Sequence, residues 1–465
     1  MLKVFLRKDL LVGRDPNKCS ILLEDITVSR QHIRIYSVVF EDKSEPLVYC
    51  EDVSRSGSLL NGKPTGAHSS VLLSHGDVIS LDKHNYFCFI QPTPLTAQRH
   101  IFDRIFERER TRLTPDHMIT DRVLGKGAYG RVHLAWDLVN HKQVACKVVG
   151  YGPNLAQGTP RKARDLHMRE FNIMASLNHP NILALHRVIR TEHNIYMFSD
   201  LITGGDLFSR LDSGPMTEIE TLPVVYQLLK ALEYMHKHGV VHRDLKPDNI
   251  LCTRHANGSR IVLGDFGSAR LFTPGTRLQS QCGTLEYLAP ELITPHLVPS
   301  ARGYTSAIDY WALGAIVYTL LTNTTPIVES LDRIPTKLQD FELTRLEDNK
   351  REWVNISPEA KDFIRRLMTV DPRNRMASDE AQCHVWLARH MEELEDLYGR
   401  ATKEWEPLDR TDFKVEEKII DGSAVPFHNL PDNFRCSIGQ LPDFLFEGSL
   451  SSDELTAEPG EFEQT

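Results

Sequence analysis

The 465-residue chain is long enough for two to three domains, and its 41% hydrophobic and 25% charged content is ordinary for globular protein. No run approaches the roughly 18 apolar residues of a membrane span, the first residues mix charge with apolar side chains too early for a signal peptide, and the eight cysteines are scattered without a CxxC pair, which excludes a disulfide framework or thiolate zinc site and suits reduced thiols in cytosol or nucleus. The formal charge of −9 is uneven: residues 401–465 hold 15 acids and 5 bases, so −10 there leaves +1 elsewhere, which argues against direct nucleic-acid binding and marks an acidic, flexible C-terminal tail.

Residues 1–92 read as short strands separated by turns. Ile33 to Phe40 partly alternates and is rich in β-branched residues; Val48–Cys50, Ser58–Leu60, Val71–Leu73, Val78–Leu81 and Tyr86–Ile90 are similar, punctuated by Gly57, Asn61-Gly62 and His75-Gly76-Asp77. This spacing predicts a β-sandwich. Arg14 offers paired N–H donors, Ser29 a hydroxyl, and Arg30 and Arg55 further positive charge, all suited to a phosphate; Ser56 follows them. His32 is placed as a buttress of the loops, and Asn61-Gly62 first as a turn.

Residues 93–116 form a linker. Within it, 99–112 mix Arg and Glu with Ile101, Phe102, Ile105 and Phe106, which fits a short amphipathic helix or a solvated spacer with one apolar stripe. A second domain, 117–390, opens with strands around a glycine-rich loop and turns helical after Glu220, where Leu222, Val225, Leu228, Leu229, Leu232 and Met235 recur at helical spacing as core residues. His236 and His238 are expected near the exposed end of that helix, and 391–465 is assigned to the tail.

The second domain carries an ordered set of chemical motifs. Leu124 leads into Gly125-Lys126-Gly127-Ala-Tyr-Gly130-Arg-Val132, followed by Val144-Ala145-Cys-Lys147, Glu170, His242-Arg-Asp244-Leu-Lys246-Pro-Asp-Asn249, Asp265-Phe-Gly267 and Ala289-Pro-Glu291. Phosphoryl transfer needs positioning and charge neutralisation more than covalent chemistry. Gly125, Gly127 and Gly130 leave backbone free to fold over a triphosphate. Lys147, set among apolar residues, needs an anionic partner, for which Glu170 is the candidate. Asp244 is the candidate base for a substrate hydroxyl, Lys246 a neutraliser of the moving phosphate, and Asn249 and Asp265 are oxygen ligands suited to Mg²⁺.

These motifs resemble the eukaryotic protein kinases, and Lys246 together with Cys282-Gly-Thr284-Leu-Glu-Tyr-Leu-Ala-Pro-Glu291 resembles their serine/threonine branch. The resemblance implies a two-lobed α+β protein kinase fold that uses ATP and Mg²⁺, with a hinge at Asp200–Leu201, Asp206 reaching toward the ribose, and Ser199 at the gatekeeper position, small enough to admit bulky inhibitors behind the adenine. Asp206 and Asp248 either face an arginine upstream of the acceptor Ser/Thr or are solvated acids. Asp309, Trp311 and the pair of Arg375 with Glu291 are read as structural. Thr276 and Ser280 sit where checkpoint-type kinases carry regulatory phosphosites, and Arg243 is placed to clamp phosphate on that loop, with Thr284 shaping the substrate pocket instead.

The N-terminal set, Gly13-Arg14, Ser29-Arg30-Gln-His32 and Asp52 to Gly62, resembles the forkhead-associated (FHA) domain, an all-β sandwich that reads phosphothreonine. Two features depart from that family: Ser56 stands at its usual asparagine, and only twelve residues precede Gly13, where the family has room for another strand, so either the domain is trimmed or the chain lacks a few native N-terminal residues. An FHA module before a serine/threonine kinase resembles the DNA-damage and meiotic checkpoint effector kinases of the calmodulin-dependent group, which implies recruitment to phosphothreonine-bearing partners in one of those two checkpoints, transient self-association and a nuclear place, with the cytoplasm also open. The only Ser-Gln or Thr-Gln dipeptide is Ser280-Gln281, which shifts weight toward a meiosis-type member with the DNA-damage type still open, and the tail lacks a basic amphipathic helix for calmodulin. The alternative function is a catalytically inactive phosphopeptide-binding scaffold. Leu441 to Phe446 is an apolar cluster in acidic surroundings, either a docking element or a short cluster in a disordered stretch.

Overall fold

The computed structural model describes residues 9–40, 46–66, 68–91, 103–127, 130–150, 168, 170–253, 259–272, 284–294, 298, 305–326, 351–410, 413 and 415–419. Thr276, Ser280, Leu441–Phe446 and the residues before Asp9 lie outside them. Among the described residues no helix is long and apolar enough to cross a membrane.

The first unit is a two-sheet sandwich. One sheet runs β2 (Ile21–Leu22), β1 (Leu10–Gly13), β3 (Ile33–Val38), β4 (Leu47–Asp52), β7 (Ser70–Leu72); the other runs β6 (Lys63–Pro64), β5 (Leu59–Leu60), β8 (Val78–Ser80), β9 (Tyr86–Cys88). Between them lie Val12, Ile33, Ile35, Cys50, Leu60, Val71, Leu73 and Ile79. Asn61 and Gly62, with φ of 52° and 78°, close the β5–β6 hairpin, the left-handed pair that an Asn-Gly turn supplies.

The expected linker contains α1 (Asp103–Arg110), and its choice between helix and spacer resolves to a packed helix. Phe106 packs on the small-lobe core, and the buried Glu109 carboxylate accepts from Tyr196 Oη at 2.8 Å, Asn194 Nδ2 at 2.7 Å and Thr191 Oγ1 at 3.0 Å. The small lobe is an antiparallel sheet of β10 (His117–Gly127), β11 (Gly130–Asp137), β12 (Lys142–Gly150), β14 (Asn194–Asp200) and β13 (Leu185–Arg190), with helix α2 over residues 170–176.

The large lobe is helical. After the short α3 (Leu207–Leu211), a reciprocal capping box of Thr217 and Glu220 starts α4 (Glu218–Lys237), and all six apolar residues singled out at helical spacing are buried along it. Beyond the single turn α5 (Pro290–Ile293), helix α6 (Ala307–Thr322) is buried almost throughout, so it shows no apolar stripe and forms the centre of the lobe. Arg375 and Glu291 form a buried bidentate pair at 2.7 and 3.0 Å. The two histidines at the end of α4 part company: His238 is exposed, but His236 turns inward to Asp309 Oδ2 at 2.9 Å and Tyr310 Oη at 3.1 Å, because a buried carboxylate needs a partner.

The stretch assigned to a flexible tail from 391 begins instead as structure. A helix, Met391–Thr402, packs against α4, and the chain then crosses to the small lobe. Asn178 receives it through Nδ2 to Leu408 O at 2.8 Å and Oδ1 from Leu408 N at 3.2 Å. Val415–Glu417 pairs in parallel with β13, and Arg187 grips Glu416 at 2.5 and 2.9 Å. Residues from 420 onward lie outside the described residues.

Candidate active site

The cleft between the lobes collects the predicted chemical residues from five separate elements. On β12, Lys147 sits opposite Val132 of β11, and Ala145 sits opposite Ser199 of β14, so these side chains share the face turned toward the cleft. Lys147 Nζ donates to Glu170 Oε1 on α2 at 2.5 Å and to Asp265 Oδ1 at 3.3 Å. Burial works against the Lys147 ammonium, but Glu170 and then Asp265 outweigh it and hold its pKa above the ordinary lysine value. Burial likewise opposes ionisation of Asp265, and Lys147 prevails, keeping that carboxyl below the usual carboxylate range.

The second cluster lies below it. Asp244 Oδ1 accepts from Thr284 N at 3.0 Å and Thr284 Oγ1 at 3.1 Å; Lys246 Nζ donates to Thr284 Oγ1 at 2.9 Å and lies 3.7 Å from Asp244 Oδ2. Asn249 Nδ2 donates to Asp244 O at 2.7 Å, which commits the amide nitrogen to the loop and leaves the carbonyl end as the oxygen ligand. Thr284, assigned on sequence to the substrate pocket, is thereby a bridge between the two charged residues.

Backbone conformation and a buried anion fix this loop. Arg243 and Asp265 have φ of 75° and 49°, left-handed values that cost energy outside glycine. Asp309, read from sequence as structural, supplies the restraint: its carboxylate accepts from His242 N and Arg243 N, each at 2.9 Å. Burial raises the Asp309 pKa, but His236 foremost among its partners brings it below the ordinary value. His242 Nε2 reaches Gly264 O at 3.0 Å, tying this loop to the one that carries Asp265.

The glycines serve different ends. A Cβ on Gly130 would meet Val148 O at 2.2 Å, so packing demands glycine there; a Cβ on Gly125 would meet nothing within 4 Å, so packing does not. Lys126 pairs with Arg131, and Gly127 with Gly130, across the hairpin. Leu124 and Leu201 are partly buried and pack against the sandwich. At the hinge Asp200 turns to His186 Nε2 at 2.7 Å; burial opposes its ionisation, yet His186 holds the carboxyl below its usual range. Asp206 is buried and caps the helix Leu207–Leu211, accepting from Ser209 N at 2.7 Å, while Asp248 is exposed. Burial, then Asp248, push the Asp206 carboxyl up to about 6.

A second cluster closes one end of the sandwich. Arg14, Arg30, Arg55 and Ser56 are exposed there, and Ser29 is half-buried. Arg14 is steadied by Nε donating to Val28 O at 2.9 Å, and Ser29 Oγ accepts from Arg55 N at 3.2 Å. His32 is fully buried: Nδ1 accepts from Ser29 N at 3.1 Å and Nε2 lies 3.2 Å from Gly57 O, spanning the two loops.

The sequence pattern of the protein kinase domain matches residues 118–387. The chain belongs to the protein kinase family. The kinase also matches the FHA domain over residues 10–82. It is similar to the meiosis-specific serine/threonine-protein kinase mek1 of Schizosaccharomyces pombe, 35% identical over 398 residues and 84% of each chain. MEK1 of Saccharomyces cerevisiae, also meiosis-specific, is 32% identical over 448 residues, 89% of each chain, and the serine/threonine-protein kinase cds1 of Schizosaccharomyces pombe is 30% identical over 381 residues, 79% of each. This protein is a serine/threonine protein kinase with an N-terminal FHA domain, homologous to meiotic and DNA-damage checkpoint kinases.

Proposed function

We propose that the cleft transfers the γ-phosphate of ATP to a protein Ser or Thr, and that the FHA domain brings the kinase to phosphothreonine-bearing complexes of a meiotic checkpoint. The observation that carries the catalytic half is the pair of charge clusters: Lys147 between Glu170 and Asp265, and Thr284 between Asp244 and Lys246. ATP with Mg²⁺ supplies the phosphoryl group and the countercharge on it. Lys147, oriented by Glu170, would hold the α/β-phosphates, and Leu124, Val132, Ala145 and the Asp200–Leu201 hinge would frame the base. Lys126 lies in the hairpin that would cover the phosphates, beside Gly125, where room is left free of protein.

For the metal, the donor set fits a hard cation. Asn249 presents a carbonyl oxygen and Asp265 an ionised carboxylate, and among the described residues no three His, Cys, Asp or Glu side chains form an all-protein metal site. Two protein oxygens with the rest from phosphate and water is the usual way Mg²⁺ is held. Asp244 would accept the proton of the acceptor hydroxyl, and Lys246 would balance charge on the phosphate in transfer.

The recruiting half rests on Arg14, Ser29, Arg30, Arg55 and Ser56 at one end of the sandwich, a group of donors with the chemistry to grasp a phosphate. Two meiosis-specific kinases among the relatives support the meiotic reading, and a nuclear place follows from that role. Thr276 and Ser280 are the proposed activating phosphosites, reached when recruitment brings two copies together; Asp248, being exposed, is the better placed of the two acids to read an upstream arginine. The test is phosphate transfer from ATP by the wild type and by Asp244→Asn: loss of about 10²–10⁴-fold in kcat with an unchanged melting temperature is expected, and equal rates refute the assignment.

A further inference from the structure

We infer that the FHA sandwich is a brace across the kinase hinge, holding the lobes at the angle where Lys147, Glu170 and Asp265 meet. The inference begins with a sheet buried on both faces. In β3, Ile33 and Ile35 point into the sandwich, while Tyr36 and Val38 point out; in β4, Cys50 points in, and Leu47 and Tyr49 point out; Leu72 joins them from β7. An isolated sandwich would leave that outer face to solvent. Here Tyr36, Val38, Leu47, Tyr49 and Leu72 are all buried, in one cluster with the kinase residues Leu124, Leu134 and Leu201.

Polar contacts fix the register. The Gln143 amide of β12 accepts from Leu72 N at 2.7 Å and donates to Leu72 O at 2.9 Å, as a neighbouring strand would. Tyr36 Oη donates to Thr203 O at 3.3 Å, and Arg122 donates to Gln91 Oε1 at 3.4 Å and Pro46 O at 3.5 Å. Val38 lies close enough to Gly205 that a Cβ there would meet it at 3.1 Å. Leu124, Leu134 and Gln143 belong to the small lobe, whereas Thr203 and Gly205 lie past the hinge, so a change of lobe angle must shear this contact.

Leu124 is also the last residue before the glycine-rich turn, so the sandwich bears directly on the wall of the proposed nucleotide site. The phosphate-binding loops are at the other ends of the same strands: from His32 to Val38 is six residues, about 20 Å of strand. The brace therefore leaves the recruiting end accessible. Since a ligand's apparent affinity falls with the fraction of molecules in the competent state, loss of the brace should weaken nucleotide binding.

The inference rests on the nucleotide-site reading above, and the experiment separates the two. In the full-length protein, Val38→Glu places a charge in the interface outside the sandwich core, and Tyr36→Phe/Gln143→Ala removes three hydrogen bonds while sparing both cores. Three quantities are read: amide exchange of residues 33–38 and 200–206, KM for ATP, and affinity for a phosphothreonine peptide. We expect faster exchange in both segments together and an ATP KM raised about fivefold or more in Val38→Glu, less in the double variant, with peptide affinity unchanged. Unchanged hinge exchange and KM in the double variant overturn the brace, as does a lowered KM, which would mean shielding of the site. Should Val38→Glu lose peptide binding, the sandwich is damaged and the double variant alone decides. If the wild type transfers no phosphate, the nucleotide reading fails, while the linked exchange of the two segments still decides the brace.

Discussion

The two regions proposed to handle phosphate follow opposite plans. In the cleft the ions are already matched: Lys147 with Glu170 and Asp265, Lys246 beside Asp244. At the end of the sandwich Arg14, Arg30 and Arg55 are exposed, and among the described residues none has an ion-pair partner. Chemistry needs groups fixed before the substrate arrives, so the cleft neutralises its charges internally and can bury them. The proposed recruitment needs only net attraction, so the sandwich keeps its cations in water that an arriving phosphate would replace.

The contrast breaks most severely where matched ions are deepest. Glu291→Ala strands the fully buried Arg375 guanidinium and should cost about 3–5 kcal/mol in urea unfolding of the kinase, far more than any exposed charge deletion. A smaller effect is expected where the cleft departs from its own plan. Asp206 is buried with no cationic partner among the described residues, and its folded pKa is raised to about 6, so its contribution to stability is complete below the unfolded value near 4 and is lost as pH rises through about 6. Asp206→Asn keeps a cap for Ser209 N and should flatten that pH dependence, gaining up to about 3 kcal/mol at neutral pH, as read by melting curves from pH 4 to 8. On the other side, Arg14→Ala should cost about 1.5–3 kcal/mol of phosphothreonine-peptide affinity with little change in melting temperature or in kcat on a short peptide. Titration calorimetry checks it, and the loss should shrink as salt rises.

The sequence was legible where chemistry is local. Each candidate catalytic residue sits in a short motif whose type and order report its job, and even Glu170, separated from the Lys147 motif by a long polar stretch, is found beside Lys147. The β-sandwich was legible from alternation and turns. What escaped was whatever depends on distant partners. Tyr36, Val38 and Phe40 break the alternation of their strand, but a partial alternation does not say what covers the second face of the sheet. Val415-Glu-Glu417 has no alternation, and its strand exists through β13 and the Arg187–Glu416 grip, more than two hundred residues apart in sequence. Thr284 and Asp309 were seen and assigned other tasks, because motif spacing cannot show that a hydroxyl lands between two charges or that a carboxylate meets two backbone amides.

Val415–Glu417 has one more effect. Open sheet margins invite visiting peptides to add themselves as an extra row, whether as specific guests or as the first step of aggregation. Here the chain has seated its own segment along β13 and locked it with guanidinium–carboxylate bonds, so any visitor must first evict the resident. That margin of the small lobe is thus a competitive seat, already taken.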